Sequence, residues 1–133
     1  MMPSFDIQKI LENEESLDLV AGENLFIARE PTKPDKCVTI YDPPGGAVDI
    51  TSDINRDGAY VRNEIQVRVR DVDYEEASTR AHAIMNFLHG KSNFEFNGTY
   101  YAFLRCTTPP TTLGWDDNNR VLLIINFQIQ KRR

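Results

Sequence analysis

The stretch 61–70 limits what this chain can fold into more than any other: Val61, Asn63, Ile65, Val67 and Val69 alternate with Arg62, Glu64, Gln66, Arg68 and Arg70. Neighbouring side chains on a β-strand point to opposite faces, so a period of two predicts a strand buried on one face and charged along the other. A second stretch, 121–129, is apolar at Val121, Leu122, Leu123, Ile124 and Ile125 in succession. A run apolar at both parities predicts a strand covered on both faces at its start, at the centre of a sheet.

Helical spacing replaces the period of two between these strands. Tyr74, Ala77, Ala81, Ile84, Met85 and Leu88 recur every three or four residues, Asp73 stands at the N-cap with Glu76 three residues on, and Gly90 follows the last apolar position. That pattern predicts a capped amphipathic helix. A shorter helix is expected at the start, with Ser4 as N-cap, Asp6 in the first turn and Ile7, Ile10 and Leu11 as a narrow apolar stripe, ending before Ser16.

The remaining elements read as strands and turns. Leu25-Phe26-Ile27-Ala28, stopped by Pro31 and Pro34, is a short strand or extended arm, and Cys37-Val38-Thr39-Ile40-Tyr41 is a strand that stops at Pro43-Pro44-Gly45-Gly46. Phe94 and Phe96, then Asn97-Gly98, then residues 99–106 form a hairpin, because Asn-Gly supplies positive φ at both turn positions. Pro109-Pro110 is expected to interrupt pairing, and Asp116-Asp117-Asn118-Asn119 marks a further turn. Together these predict a single α+β domain, a mixed and mostly antiparallel sheet packed against two helices. A chain of 133 residues with 41% hydrophobic and 26% charged residues suits one compact core.

Residues 42–58 hold two prolines, three glycines and four aspartates with little apolar content. A connection of that length without structure of its own usually has a function, so Pro43, Pro44, Gly45, Gly46, Asp49, Asp53 and Asp57 become candidate contact residues. Asp53-Ile54-Asn55-Arg56-Asp57-Gly58, followed by Glu64, also fits the calcium-loop pattern of an EF-hand. Two helices flank the loop in that motif, whereas Pro43-Pro44-Gly45-Gly46 precedes it here and a β-alternation follows. A plain turn leading into a strand is therefore weighed against a calcium site at Asp53, Asn55, Asp57 and Glu64, and no cofactor or resident metal is expected.

Carriers of catalysis are absent from the pattern. His82 and His89 lie seven residues apart, about two helical turns, where a helical metal pair needs four. None of the serines at 4, 16, 52, 78 and 92 is framed by the glycines of a nucleophile elbow, and the loop aspartates have nothing to desolvate them. The net charge of −5 argues against duplex DNA binding. The basic end Lys131-Arg132-Arg133 reads as a solvated terminus. Cys37 and Cys106 are expected as reduced thiols rather than a bridge, which fits a cytosolic origin. The longest apolar run is far short of the roughly 20 residues a membrane helix needs, no secretory signal is expected, and Asn97-Gly98-Thr99 reads as a turn rather than a glycosylation site. Trp115 either anchors a partner or plugs the end of the sheet. The charged face bearing Arg62, Glu64, Arg68 and Arg70 is either a solvated sheet face or a set of contacts between subunits.

The order of elements resembles a known family. A short N-terminal helix, Leu25-Phe26 before Pro31 and Pro34, Cys37-Val38-Thr39-Ile40-Tyr41-Asp42 with Gly45-Gly46, Ile65-Gln66-Val67-Arg68-Val69-Arg70, Asp73-Tyr74-Glu75-Glu76-Ala77, Leu113-Gly114-Trp115-Asp116-Asp117 with Arg120, and Asn126-Phe127 are similar to the tail-terminator or minor capsid (tail completion, neck) proteins of long-tailed bacteriophages. The resemblance spans almost the whole chain. It implies a structural virion protein at the tail-to-head junction, made in the host bacterial cytoplasm. Such a protein forms a homo-oligomeric, hexameric ring on the tail-tube protein, stops its polymerisation and meets the head connector. DNA would pass the lumen without specific binding, and no membrane or catalytic residue is involved. A head-completion or connector protein, and a calcium-binding interaction module at Asp53 to Glu64, are the alternatives.

Overall fold

In a computed structural model the chain is described at residues 2–43, 47–49 and 60–132. The elements run α1 (Pro3–Asn13), a 3-10 turn (Glu15–Leu17), β1 (Leu25–Ile27), β2 (Cys37–Tyr41), β3 (Ala47–Asp49), β4 (Tyr60–Asp71), α2 (Tyr74–Leu88), β5 (Ser92–Phe96), β6 (Thr99–Trp115) and β7 (Val121–Arg132). The sheet order is β1-β2-β4-β7-β6-β5, with β3 also paired to β4. Among the described strands only β1 and β2 pair in parallel, so the sheet is mixed and mostly antiparallel, as expected.

The alternation in β4 behaves as predicted. Ile65, Val67 and Val69 are buried, and opposite them on β7 lie Phe127, Ile125 and Leu123, buried as well. Ile7, Ile10 and Leu11 of α1 and Ala77, Ala81, Ile84 and Leu88 of α2 close the core over that face. The strand β7 is central, but Leu122 and Ile124 are only half-buried, so its second face is covered less fully than its composition suggests. Asp73 caps α2 as expected, accepting from the backbone N–H groups of Glu75 at 2.9 Å and Glu76 at 3.4 Å. The Asn97-Gly98 turn has φ of 52° and 83°, the mirror-image turn that suits strand twist.

Several expectations are corrected. Ser4 is not the cap of α1: Pro3, whose ring presets a helical φ, opens the helix, and Ser4 lies buried within it. Its backbone N–H reaches Asp42 Oδ1 at 3.2 Å and its hydroxyl donates to the same carboxylate, so a residue 38 positions away satisfies the helix start. The span 42–58 is not one loop, because β3 lies inside it and pairs with the start of β4. Pro109-Pro110 interrupts pairing as expected, neither proline having a partner on β7, but the interruption is local and pairing resumes at Thr111. The strand β6 continues to Trp115 along β7 with register shifts between Thr108 and Thr111 and at three other points. The partner β5 reaches only as far as Phe103, so the prolines sit on an edge where no N–H is required. Each shift sets one more residue of β6 against β7, and such bulges bend the strand and curl the sheet around the helices.

Arg70 is the largest departure. It was expected on the charged face, yet it is 2% exposed beneath the segment 28–36. Its Nε donates to the carbonyl of Asp35 at 3.2 Å and its Nη2 to that of Pro34 at 2.6 Å, with Glu30 at 3.5 Å. Arg120, also buried, donates through Nη1 to the Thr32 carbonyl at 2.5 Å and pairs with Asp35 at 3.3 Å and Asp116 at 2.8 Å. Two arginines thus hold an irregular segment as a strap across one end of the sheet, their fixed forks of donors satisfying carbonyls that have no ladder partner. Cys37, paired in register with Arg70, is fully buried, and burial pushes its thiol pKa up. Cys37 and Cys106 are both free.

At the other end of the core Tyr101 donates to Asp6, which is 5% exposed, and stacks on Phe94 with ring centroids 5.0 Å apart. Burial, then the hydrogen bond and charge of Asp6, raise the Tyr101 pKa well above its ordinary value.

Two outcomes follow. Replacing Arg70 by Ala leaves the strap carbonyls and Glu30 unpaired and should cost about 3–5 kcal/mol in urea unfolding, while the thiol of Cys37 becomes at least about ten-fold faster to label as the strap opens. For Tyr101, the folded pKa lies above the unfolded one, so stability is full below about pH 10 and falls as the pH rises beyond it, where only the unfolded chain releases the proton. Tyr101→Phe should flatten that alkaline loss while lowering stability at pH 7 by about 1–3 kcal/mol, both measurable by thermal unfolding across pH.

Candidate assembly surface

With the helices on one face, the sheet presents its other face outward. Across it, the even positions of β4 meet those of β7 in pairs: Arg62 with Gln130, Glu64 with Gln128, Gln66 with Asn126 and Arg68 with Ile124. Side chains there are tied into lateral rows. The Arg68 guanidinium lies 4.6 Å above the Tyr41 ring and its Nε donates to Gln66 Oε1 at 2.9 Å, and Gln66 Nε2 donates in turn to Asn126 at 3.2 Å. Arg105, opposite Gln128 in register, donates to its side-chain oxygen and lies 5.5 Å from the centre of the Phe103 ring. Cations anchored in this way lose little conformational freedom on meeting a partner.

Of the sequence candidates, Arg62, Glu64 and Arg68 share this face, Arg62 and Glu64 exposed and Arg68 half-buried. Arg70 does not join them, being committed to the strap. Pro43 is half-buried just past β2, and Asp49 ends β3. Pro44, Gly45, Gly46, Asp53, Asn55 and Asp57 lie outside the described residues, and with them most of the calcium-loop pattern. Its last member, Glu64, stands within a twelve-residue strand. No group of three or more His, Cys, Asp or Glu suited to a metal occurs among the described residues.

Trp115 is 56% exposed and ends β6. It does not stand alone. Val121 pairs with Trp115 on one side and Asp71 on the other, so the end of β6 and the end of β4 flank the start of β7. There Val72, Tyr74 and Leu113 are 56%, 50% and 53% exposed, and the Tyr74 hydroxyl sits 3.3 Å from that of Thr112. Four of the seven large exposed hydrophobics among the described residues therefore gather at one end of the molecule. Sequence reasoning set Tyr74 on the buried stripe of α2. It sits in the first turn, where the helix has already passed the edge of the core, and no periodicity records where a core ends.

Among the described residues, two clefts bring no catalytic set of side chains together. One of about 390 Å³ is lined by Ile10, Phe87, Phe94 and Phe96, with Lys91 Nζ 4.2 Å above the Phe87 ring. Another, of about 580 Å³, is polar and acidic, between the 3-10 turn and α2. The two histidines are exposed and engaged with backbone: His82 Nδ1 lies 2.8 Å from the Ser78 carbonyl and His89 Nδ1 accepts from the Cys106 N–H at 2.9 Å. Among the described residues no helix is long and apolar enough to cross a membrane.

The fold has solved relatives. A chain from the virion of a native gene transfer agent particle is similar with a TM-score of 0.70 at 14% identity, over 98% of this chain and 94% of that one. A second solved structure reaches 0.59 at 12% identity, over 98% of this chain and 90% of its own. At such identities the likeness concerns the fold. No curated protein sequence matches. The family described as bacteriophage tail terminator protein matches residues 11–133, all but the first ten positions of the chain. A match of that extent, together with a sheet and helices in the expected order, places this chain in the bacteriophage tail terminator family.

Proposed function

We propose that this structural tail protein caps the tail tube as a hexameric ring, halts polymerisation of the tube protein and presents its far side to the head connector. In this reading it is made in the host bacterial cytoplasm and ends at the tail-to-head junction of the virion. Family membership supports the tail role, and the observation that carries the capping role is the apolar end formed by Val72, Tyr74, Leu113 and Trp115. Exposed aromatic and aliphatic side chains grouped in one place favour a protein partner, and tryptophan and tyrosine are the residue types that dominate such contacts. The opposite end, where β3 pairs with the start of β4, carries Asp49 and leads to the segment 50–59, and it is the surface assigned to the connector. An acidic chain lets DNA pass the ring without binding it.

Tails assembled without this protein should form tubes of uncontrolled length in electron micrographs, and tubes of normal length would overturn the capping role. Trp115→Ala, at an exposed strand end, should leave the circular dichroism spectrum and unfolding midpoint nearly unchanged. It should weaken co-sedimentation with tubes by about thirty-fold, roughly the 2 kcal/mol of an interfacial hot spot.

A further inference from the structure

The two layers of this molecule carry opposite charge. On the open sheet face the described charged side chains include Arg62, Arg68 and Arg105 against Glu64 and, opposite Tyr100 at the β5 edge, Glu95. On the helix layer, the 3-10 turn and the first half of α2 bring Glu15, Asp18, Asp73, Glu75 and Glu76 to one surface, and Asp18, Asp73, Glu75 and Glu76 line the same acidic cleft. Lys36 and Arg80 are the cations at that cleft, and Lys36 is already paired with Glu76 at 3.2 Å. The chain as a whole is acidic, yet along the strands of the sheet face arginine outnumbers carboxylate.

We infer that the neighbour in the assembly is a second copy of this chain, docked with its acidic helix layer against the basic sheet face of the first. This rests on the ring reading above and specifies its subunit contact. Contacts of like faces would set arginine against arginine or carboxylate against carboxylate. Pairing unlike faces brings opposite charges together and leaves each copy with one face still unmatched. A contact between different surfaces repeats from copy to copy, and closes into a ring when its rotation allows. It also leaves both ends of the sheet free, the apolar end and the β3 end, for proteins above and below. Arg68 and Arg105 are prepared for the contact by Tyr41, Gln66 and Gln128, which hold their guanidinium groups in place before a neighbour arrives.

The test uses two charge-reversed full-length chains, one carrying Arg62→Glu and Arg105→Glu, the other Glu15→Lys and Glu75→Lys, all at exposed positions. Both should keep the circular dichroism spectrum of the unmodified chain. If one does not fold, Arg62→Gln with Arg105→Gln, or Glu15→Gln with Glu75→Gln, replaces it and should weaken assembly to a smaller degree. Light scattering and native mass spectrometry then report assembly at about 0.15 M salt, where charges still act over about 8 Å, with and without tail tubes. Each variant alone should need at least about ten-fold more protein to assemble than the unmodified chain, as both of its faces now carry one sign. A one-to-one mixture should recover assembly with the variants in equal number, because each reversed face meets its opposite. Variants that assemble alone as well as the unmodified chain, or a mixture that stays apart while the unmodified chain assembles, would overturn the contact and leave the ring standing. An unmodified chain that stays monomeric even on tubes would overturn the ring and the contact together.

Discussion

The antiparallel ladder between β4 and β7 runs through twelve pairs, from Tyr60 with Arg132 to Asp71 with Val121, and the rest of the molecule is arranged by it. Because side chains alternate, a slip of one residue would turn Ile65, Val67 and Val69 toward solvent and Arg68 into the core, so the register is set by the cost of that exchange. With the register settled, both helices have one apolar surface to cover and the outward face keeps its arginines and amides. The two-faced character of the sheet is thus a consequence of the core.

The strap shows how the same ladder is completed where regular pairing stops. Residues 28–36 can offer carbonyls but no strand, and near the end of β4 and the start of β7 the arginines Arg70 and Arg120 supply donors to them. An arginine suits this task because it carries five N–H groups in a fixed plane and keeps its charge. Once spent on the strap, Arg70 is lost to any partner, although its position in the alternation matches that of Arg68. The face available for contact therefore ends one pair earlier than the pattern implies.

Curling of the sheet has a similar local origin with a distant effect. Fifteen residues of β6, Tyr101 to Trp115, run beside eleven of β7, the difference of four being taken up in four bulges, one of which holds Pro109-Pro110 at an open edge. This brings the end of β6 beside the start of α2, where the Tyr74 hydroxyl reaches that of Thr112, so that Trp115 and Leu113 lie at the same end of the molecule as Val72 and Tyr74, residues of modest interest in the one-dimensional pattern.

Period, caps and turn chemistry are properties of near neighbours, and the sequence alone determined what depends on them. The strand at 61–70 with its buried parity, the Asp73-capped helix, the Asn97-Gly98 hairpin, the strong last strand and the α+β class were legible because each follows from residues within a few positions of one another. Only the tertiary structure decided that Asp42 would cap α1, that Arg70 would turn inward, that β6 would pass its prolines, and that apolar and basic residues from separate strands would form single surfaces. The Asp42 cap and the inward turn of Arg70 join groups 35 to 38 residues apart, and a hydrogen bond, an ion pair or a packed patch depends on distance in space, which no local pattern encodes.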